Sequence, residues 1–249
     1  MQNQNNGATH TITRMEPQTR RPDRYNVWLD GRFACALDGA LALTEGLAVG
    51  STLTDDDLAR LTVQEEERSL YDAALRFLAA RPRSRAEVKR RLLRPQAGKP
   101  TASDATERAA KAEQVERTLD RLADAGLLDD DAFAAFWAEQ RERFSPRSAR
   151  AITQELRQHG VDGATAAQAT DANHDAEQAM RAARQRLHSM RADDYATFRT
   201  RLGGFLQRRG FGYGVMAQVV RDLWAETHPD GAPDEGFDAT DAQGEVGDE

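Results

Sequence analysis

The sequence predicts a mainly α protein, with three tandem three-helix repeats forming an elongated, curved body behind a small N-terminal β-hairpin module. The first observation is a helix start that recurs. Ser84, Val88 and Leu92 reappear 64 residues on as Ser148, Ile152 and Leu156, and 46 residues further as Asp194, Phe198 and Leu202. Cap and core positions shift together each time, which is the mark of a repeat architecture. The second observation is that every apolar pattern from Glu65 onward has a helical period. The third is a single strong hairpin signal, Asp30-Gly31 between the β-prone runs 24–29 and 32–37.

Taken in order, residues 1–23 are polar, rich in Gln, Asn and Thr, and are expected to be unstructured. The module over 24–64 holds the hairpin and two short helices, at 38–45 and 54–60, the second capped by Thr54 with Asp57 three residues on. This module is expected to serve either as a docking site or as a lid on the first helical layer. Repeat one covers 65–128. Its first stripe is Leu70, Tyr71, Ala74 and Leu78, and its last is Val115, Leu119 and Leu122, closed by Gly126.

The middle helix of that repeat, at 82–93, is the best-marked copy. Ser84 and Glu87 have the capping-box spacing, which satisfies backbone N–H groups that a first turn leaves unpaired. Val88 and Leu92 then share one face, with Arg85, Lys89, Arg90 and Arg91 mostly turned away. The two repeat spacings differ by 18 residues, the length of the run 95–112, whose opening Pro-Gln-Ala-Gly-Lys-Pro is loop chemistry. That run is read as an insertion that extends the next helix backwards. Repeat two spans 129–174, with Phe133, Phe136 and Trp137 behind Asp129-Asp130-Asp131, and repeat three spans 175–226. Nine helices in three groups follow, the weakest being the Ala-rich 162–172.

Composition narrows the function classes. The net charge of −7 conceals a basic body: residues 227–249 hold eight acids and no Lys or Arg, so residues 1–226 carry +1. The tail is expected to be unstructured. Residues 68–99 hold ten Lys/Arg against two acids and 113–140 hold eight acids against two Arg, a segregation that implies a contact surface with polarity. One cysteine, Cys35, forms no internal disulfide, and no zinc-type spacing exists, so a reducing cytoplasm is expected. No apolar run approaches the roughly 18 residues of a membrane span, and no secretory signal opens the chain.

The sequence holds no catalytic constellation. The triple Asp runs at 55–57 and 129–131 precede helical patterns, where acids favour the N-terminus, so they read as caps and not as metal ligands. The five His are scattered, and Gly210-Phe211-Gly212-Tyr213-Gly214 follows a helix and not a strand, so it is no dinucleotide fingerprint. No enzyme, cofactor or metal is expected. The residues with contact chemistry are basic: Arg83, Arg85, Lys89, Arg90 and Arg91 in repeat one, Arg147, Arg150 and Arg157 in repeat two, and Arg208, Arg209 and Arg221 in repeat three. The arginine fork suits carboxylate and phosphate alike. On the residues alone these sites serve either a protein partner or direct DNA binding through basic helices, and a body charge of +1 disfavours the latter.

Four motifs in order carry a resemblance. They are Arg-Pro-Arg-Ser-Arg-Ala-Glu-Val-Lys-Arg-Arg-Leu-Leu from Arg81, the run from Val115 through Leu-Asp-Arg-Leu-Ala-Asp-Ala-Gly-Leu-Leu-Asp-Asp-Asp-Ala-Phe, Gln-Glu-Leu-Arg-Gln-His-Gly-Val from Gln154, and Arg-Arg-Gly-Phe-Gly-Tyr from Arg208. Together they resemble the RecX family of recombination regulators over about residues 24–226. The resemblance implies a monomeric, cytoplasmic, non-enzymatic modulator that lies in the groove of the RecA-DNA filament. It implies restraint of RecA ATPase, strand exchange and coprotease activity in recombination and the SOS response, with weak direct DNA binding. The 18-residue insertion and the acidic tail depart from the family pattern.

Overall fold

The computed structural model describes residues 8–95, 104–190 and 194–228. It divides into two compact units, one of Met1–Arg81 with Val88–Leu127 and one of Pro82–Glu87 with Leu128–Glu249.

The N-terminal module is an antiparallel four-stranded sheet in the order β3-β2-β1-β4, made of β1 (Thr9–Gln18), β2 (Arg21–Leu29), β3 (Arg32–Asp38) and β4 (Thr52–Thr54). The hairpin turns through Asp30 and Gly31 with φ of 49° and 79°, the pair of positive values that matches the twist of the flanking strands. Strand β1 corrects the expectation that 1–23 is unstructured, for Thr9–Gln18 pairs with β2 and, at its start, with β4. Its sequence hid the strand because a register shift between Ile12 and Arg14 breaks the alternation, leaving Ile12 and Met15 as its apolar contributions to the core. Ile12, Val27, Leu29 and Leu37 form the inner face with Leu41, Leu53 and Leu61.

Helix α1 (Gly39–Thr44) follows β3, and α2 (Asp55–Leu78) follows β4. The Thr54–Asp57 capping box is formed. The second short helix, however, does not stop at residue 60, because 61–78 contains neither Gly nor Pro, and α2 runs 24 residues, across the expected boundary at 64/65. Glu65, in the middle of a polar run, is turned inward. Its Oε1 meets Arg24 Nη1 at 2.5 Å and its Oε2 accepts the Asp38 N–H at 2.7 Å, while Arg68 Nε reaches Asp38 Oδ1 at 2.9 Å. This network ties α2 to β2 and β3. The same carboxylate adds to burial in pushing the Cys35 thiol pKa up.

Helices α3 (Arg85–Leu93) and α4 (Ala105–Asp124) follow. Of the expected insertion, 96–103 lies outside the described residues and 105–112 forms the first turns of α4. Val88 and Leu92 of α3 are buried, as are Val115, Leu119 and Leu122 of α4. The two charge blocks meet where Lys89 pairs with Glu116, while Arg117, a cation inside the acidic block, pairs with Glu113 at 2.8 Å and Glu67 at 3.2 Å.

Repeat two is α5 (Asp130–Phe144), α6 (Ala149–Gln158) and α7 (Gly163–Gln168), closed around Phe133, Ile152, Leu156 and Val161. After a 3₁₀ turn at Ala172–His174 come α8 (Asp175–Leu187), α9 (Tyr195–Gln207) and α10 (Tyr213–Thr227). Their core sets Phe198, Leu202, Leu206, Leu223 and Trp224 against the small side chains of Ala179, Ala182 and Ala183. Among the described residues nine helices, α2 to α10, thus follow the module in three groups. None of them is long and apolar enough to cross a membrane. The tail from residue 229 lies outside the described residues.

Candidate partner and nucleic-acid interface

The basic residues are positioned by a clasp that the chain builds twice. At the start of α3, Ser84 Oγ accepts the Glu87 N–H at 3.1 Å and Glu87 Oε2 accepts the Ser84 N–H at 3.3 Å, so the capping box is formed. The same hydroxyl donates to the carbonyl of His159, the C-cap of α6, at 2.6 Å. Gly160 then packs on Ala86, and Asp130 at the start of α5 accepts the Arg85 N–H at 2.7 Å. One repeat later, Ser148 Oγ accepts the Ala151 N–H at 3.1 Å, Ser148 N–H donates to the Arg209 carbonyl at 3.1 Å, Gly210 packs on Ser148 and Ala151, and Asp175 accepts the Ala149 N–H at 2.7 Å.

In each clasp a glycine-closed helix end and one aspartate of the following repeat seat on the first turn of the preceding middle helix. The buried residue after each glycine, Val161 or Phe211, completes a Schellman-type ending. In the third copy Asp194 accepts the Thr197 N–H at 2.8 Å. A carboxylate accepts there but could not supply the hydroxyl proton that Ser84 gives to His159.

Partial burial raises the pKa of Asp130, although the Arg85 N–H and the Arg85 charge oppose it, and burial likewise raises that of Asp175 against the Ala149 N–H. A carboxyl whose folded pKa lies above its unfolded value favours the fold most below the ordinary carboxylate range, and that contribution disappears as pH rises through the folded pKa. Asp130→Asn keeps an acceptor for Arg85 without the charge. Thermal melts should therefore show the variant gaining on the parent as pH rises above the ordinary carboxyl value of about 4. A constant offset between the two would contradict this reading.

The eleven candidate basic residues fall into two groups. Arg83, Arg147 and Arg209 are drawn into the clasps: Arg83 Nη1 lies 3.9 Å from Glu87 Oε1, Arg147 Nη1 3.0 Å from Glu155 Oε1, and Arg209 Nη1 donates to the Pro146 carbonyl at 2.7 Å and to Ser145 Oγ at 3.3 Å. Burial, with the Arg147 charge close by, lowers the Arg209 pKa. Arg85 is half-buried at the first joint and Lys89 is held by Glu116. Arg90, Arg91, Arg150, Arg157, Arg208 and Arg221 are exposed, Arg221 donating to its neighbour Gln218 at 3.0 Å. Arg150 and Arg157, seven apart on α6, share one face.

Sequence reasoning missed Glu155. Its carboxylate gathers Arg141 Nε at 2.7 Å, Trp137 Nε1 at 2.9 Å and Arg147. The signal was available, because Glu155 stands where repeats one and three carry Arg91 and Arg201. The triple Asp runs act in helix starts: Asp57 belongs to the capping box of α2, Asp129 accepts the N–H groups of Asp131 and Ala132, and Asp130 serves the clasp. Among the described residues no group of three His, Cys, Asp or Glu could hold a metal ion.

Family models match the chain in four places. The model described as the regulatory protein RecX N-terminal domain covers residues 10–54, and those of the first, second and third RecX three-helix domains cover 71–95, 129–169 and 174–220. A regulatory protein RecX of Mycobacterium sp. (strain KMS) is 34% identical over 164 residues, spanning 63% of this chain and 81% of that protein. One of Bacillus subtilis (strain 168) is 24% identical over 222 residues, spanning 88% and 79%. A crystal structure of regulatory protein RecX superposes with a TM-score of 0.57 at 22% identity, covering 84% of this chain and 98% of that one, a likeness of fold. With its sheet module and all three three-helix repeats accounted for, the chain belongs to the RecX family of regulatory proteins.

Proposed function

We propose that this protein regulates homologous recombination and the SOS response by binding in the groove of RecA-DNA filaments, without chemistry of its own. It inhibits RecA's ATPase, strand exchange and coprotease activity by altering subunit packing. What supports the reading, beside family membership, is the division among its arginines. Those at the clasps are spent on packing, whereas Arg90, Arg91, Arg150, Arg157, Arg208 and Arg221 stay exposed to meet carboxylates or phosphates.

Glu155 neutralises its part of the middle repeat, so contact falls most heavily on repeats one and three. Titrating the protein into RecA's DNA-dependent ATPase should lower the rate by the time the two are equimolar. Arg90→Ala with Arg91→Ala should shift that titration to higher concentration. An unchanged rate across the range would overturn the reading.

A further inference from the structure

The outward face of the N-terminal sheet carries an aromatic row that the fold does not require. Val27 and Leu29 point into the core, so Trp28 between them points out, and the register aligns Arg14 of β1, Trp28 of β2 and Phe33 of β3 across three neighbouring strands. The Arg14 guanidinium carbon stands 3.7 Å from the Trp28 ring centroid, and Phe33 meets Trp28 edge-on with centroids 5.9 Å apart. Phe33 remains 59% exposed and the Arg14 side chain 53% exposed.

One residue pair further along the same face stand Glu16, whose Oε1 lies 3.5 Å from Arg14 Nη1, and Asn26, whose Oδ1 accepts from Gln18 Nε2 at 2.8 Å. Arg20 then stands in the turn between β1 and β2, and Arg21 opens β2 with its Nη2 3.5 Å from Asp23 Oδ2. The other large exposed apolar residues of this module and of α2, namely Leu43, Val49 and Val63, are not in these three strands.

Two rings and a guanidinium plane are too small an apolar centre for a standard protein interface, whose buried core is built over hundreds of Å². They fit one or two unpaired bases. Every base has a π-face, which an aromatic ring or an arginine plane can cover without regard to sequence, and an antiparallel sheet with outward aromatics is a known form of such a platform. The amide pair offers a donor and an acceptor to base edges, and Arg20 and Arg21 lie at the end where a continuing strand would present phosphate.

We propose that the outer face of β1–β3 is a binding platform for single-stranded nucleic acid, with bases stacking on Phe33 and on the open face of Arg14 where it covers Trp28. The platform goes beyond the filament reading and needs no recombinase, so either can fail without the other.

The test uses the full chain with fluorescent oligo(dT), oligo(rU) and a duplex of mixed sequence, read by anisotropy without RecA present. Phe33→Ala and Arg14→Ala should each weaken binding of a single strand by about tenfold, as expected for loss of a stacking contact, while duplex binding and the melting temperature hold. Phe33→Tyr should restore single-strand binding. The oligonucleotide bound more tightly by the parent identifies DNA or RNA as the ligand. Failure of the parent to bind either single strand would overturn the proposal. So would a Phe33→Ala variant that binds both as the parent does, or one that weakens single strand and duplex equally.

Discussion

Gly160→Ala is expected to destabilise the second unit by about 2–5 kcal/mol, lowering its melting temperature by several degrees. Two independent penalties add. Gly160 has φ of +86°, where an L-residue is strained by about 1–2 kcal/mol, and a Cβ built there collides with the Cβ of Ala86 on the first turn of α3. Overpacking of that kind typically costs about 1–3 kcal/mol more, because a side chain facing a neighbouring backbone has nowhere to move.

Gly126 is the control. Its φ is +68°, yet a Cβ there meets nothing within 4 Å, so Gly126→Ala carries the conformational cost alone. Calorimetry of the full chain should show the larger shift for Gly160→Ala. Equal shifts for the two variants would mean that the clasp on α3 contributes nothing to stability.

Glu65→Ala is the second large effect, expected to cost the first unit about 3–5 kcal/mol. Removing one partner of a buried ion pair leaves the other uncompensated. Arg24 and Glu65 have side chains only 14% and 10% exposed, and the same carboxylate also holds the Asp38 N–H at the point where β3 ends and α1 begins. The loss therefore takes the counter-charge from Arg24, which keeps its bond to the Ala36 carbonyl at 3.1 Å, and strips the Asp38 N–H of its acceptor. Glu65→Gln keeps an amide oxygen for Asp38 while giving up the charge, and should fall between parent and alanine variant. Urea melts would read this order, and an alanine variant as stable as the parent would show that the network is not what fastens α2 to the sheet.

The repeats were legible in the sequence because their stop and start signals are local. Ser84, Ser148 and Asp194 cap within three residues of themselves, and the buried pairs Val88/Leu92, Ile152/Leu156 and Phe198/Leu202 stand four apart. The Asp30-Gly31 turn was equally local. What could not be read was set by partners distant in the chain. Strand β1 is held by β2 and by a three-residue β4, and its own polar Thr-rich sequence gives no alternation to find. The inward turn of Glu65 on α2 depends on Arg24, 41 residues away.

The same limit governed the candidate arginines. Composition marks eleven cations as alike, but whether an arginine faces a partner or a clasp depends on where Pro146, Glu155 or Glu87 arrives in space. Glu155, by contrast, stands out within the repeats themselves, aligned with Arg91 and Arg201. A carboxylate standing where its sister repeats carry arginine signals a local use for the charge.

The most direct test of the proposed groove-binding role is a cryo-electron-microscopy density map of RecA filaments on DNA saturated with this protein. The account predicts continuous density following the helical groove, with the exposed end of α3 bearing Arg90 and Arg91 against the filament wall. Filaments with an empty groove, or with density confined to their ends, would contradict it.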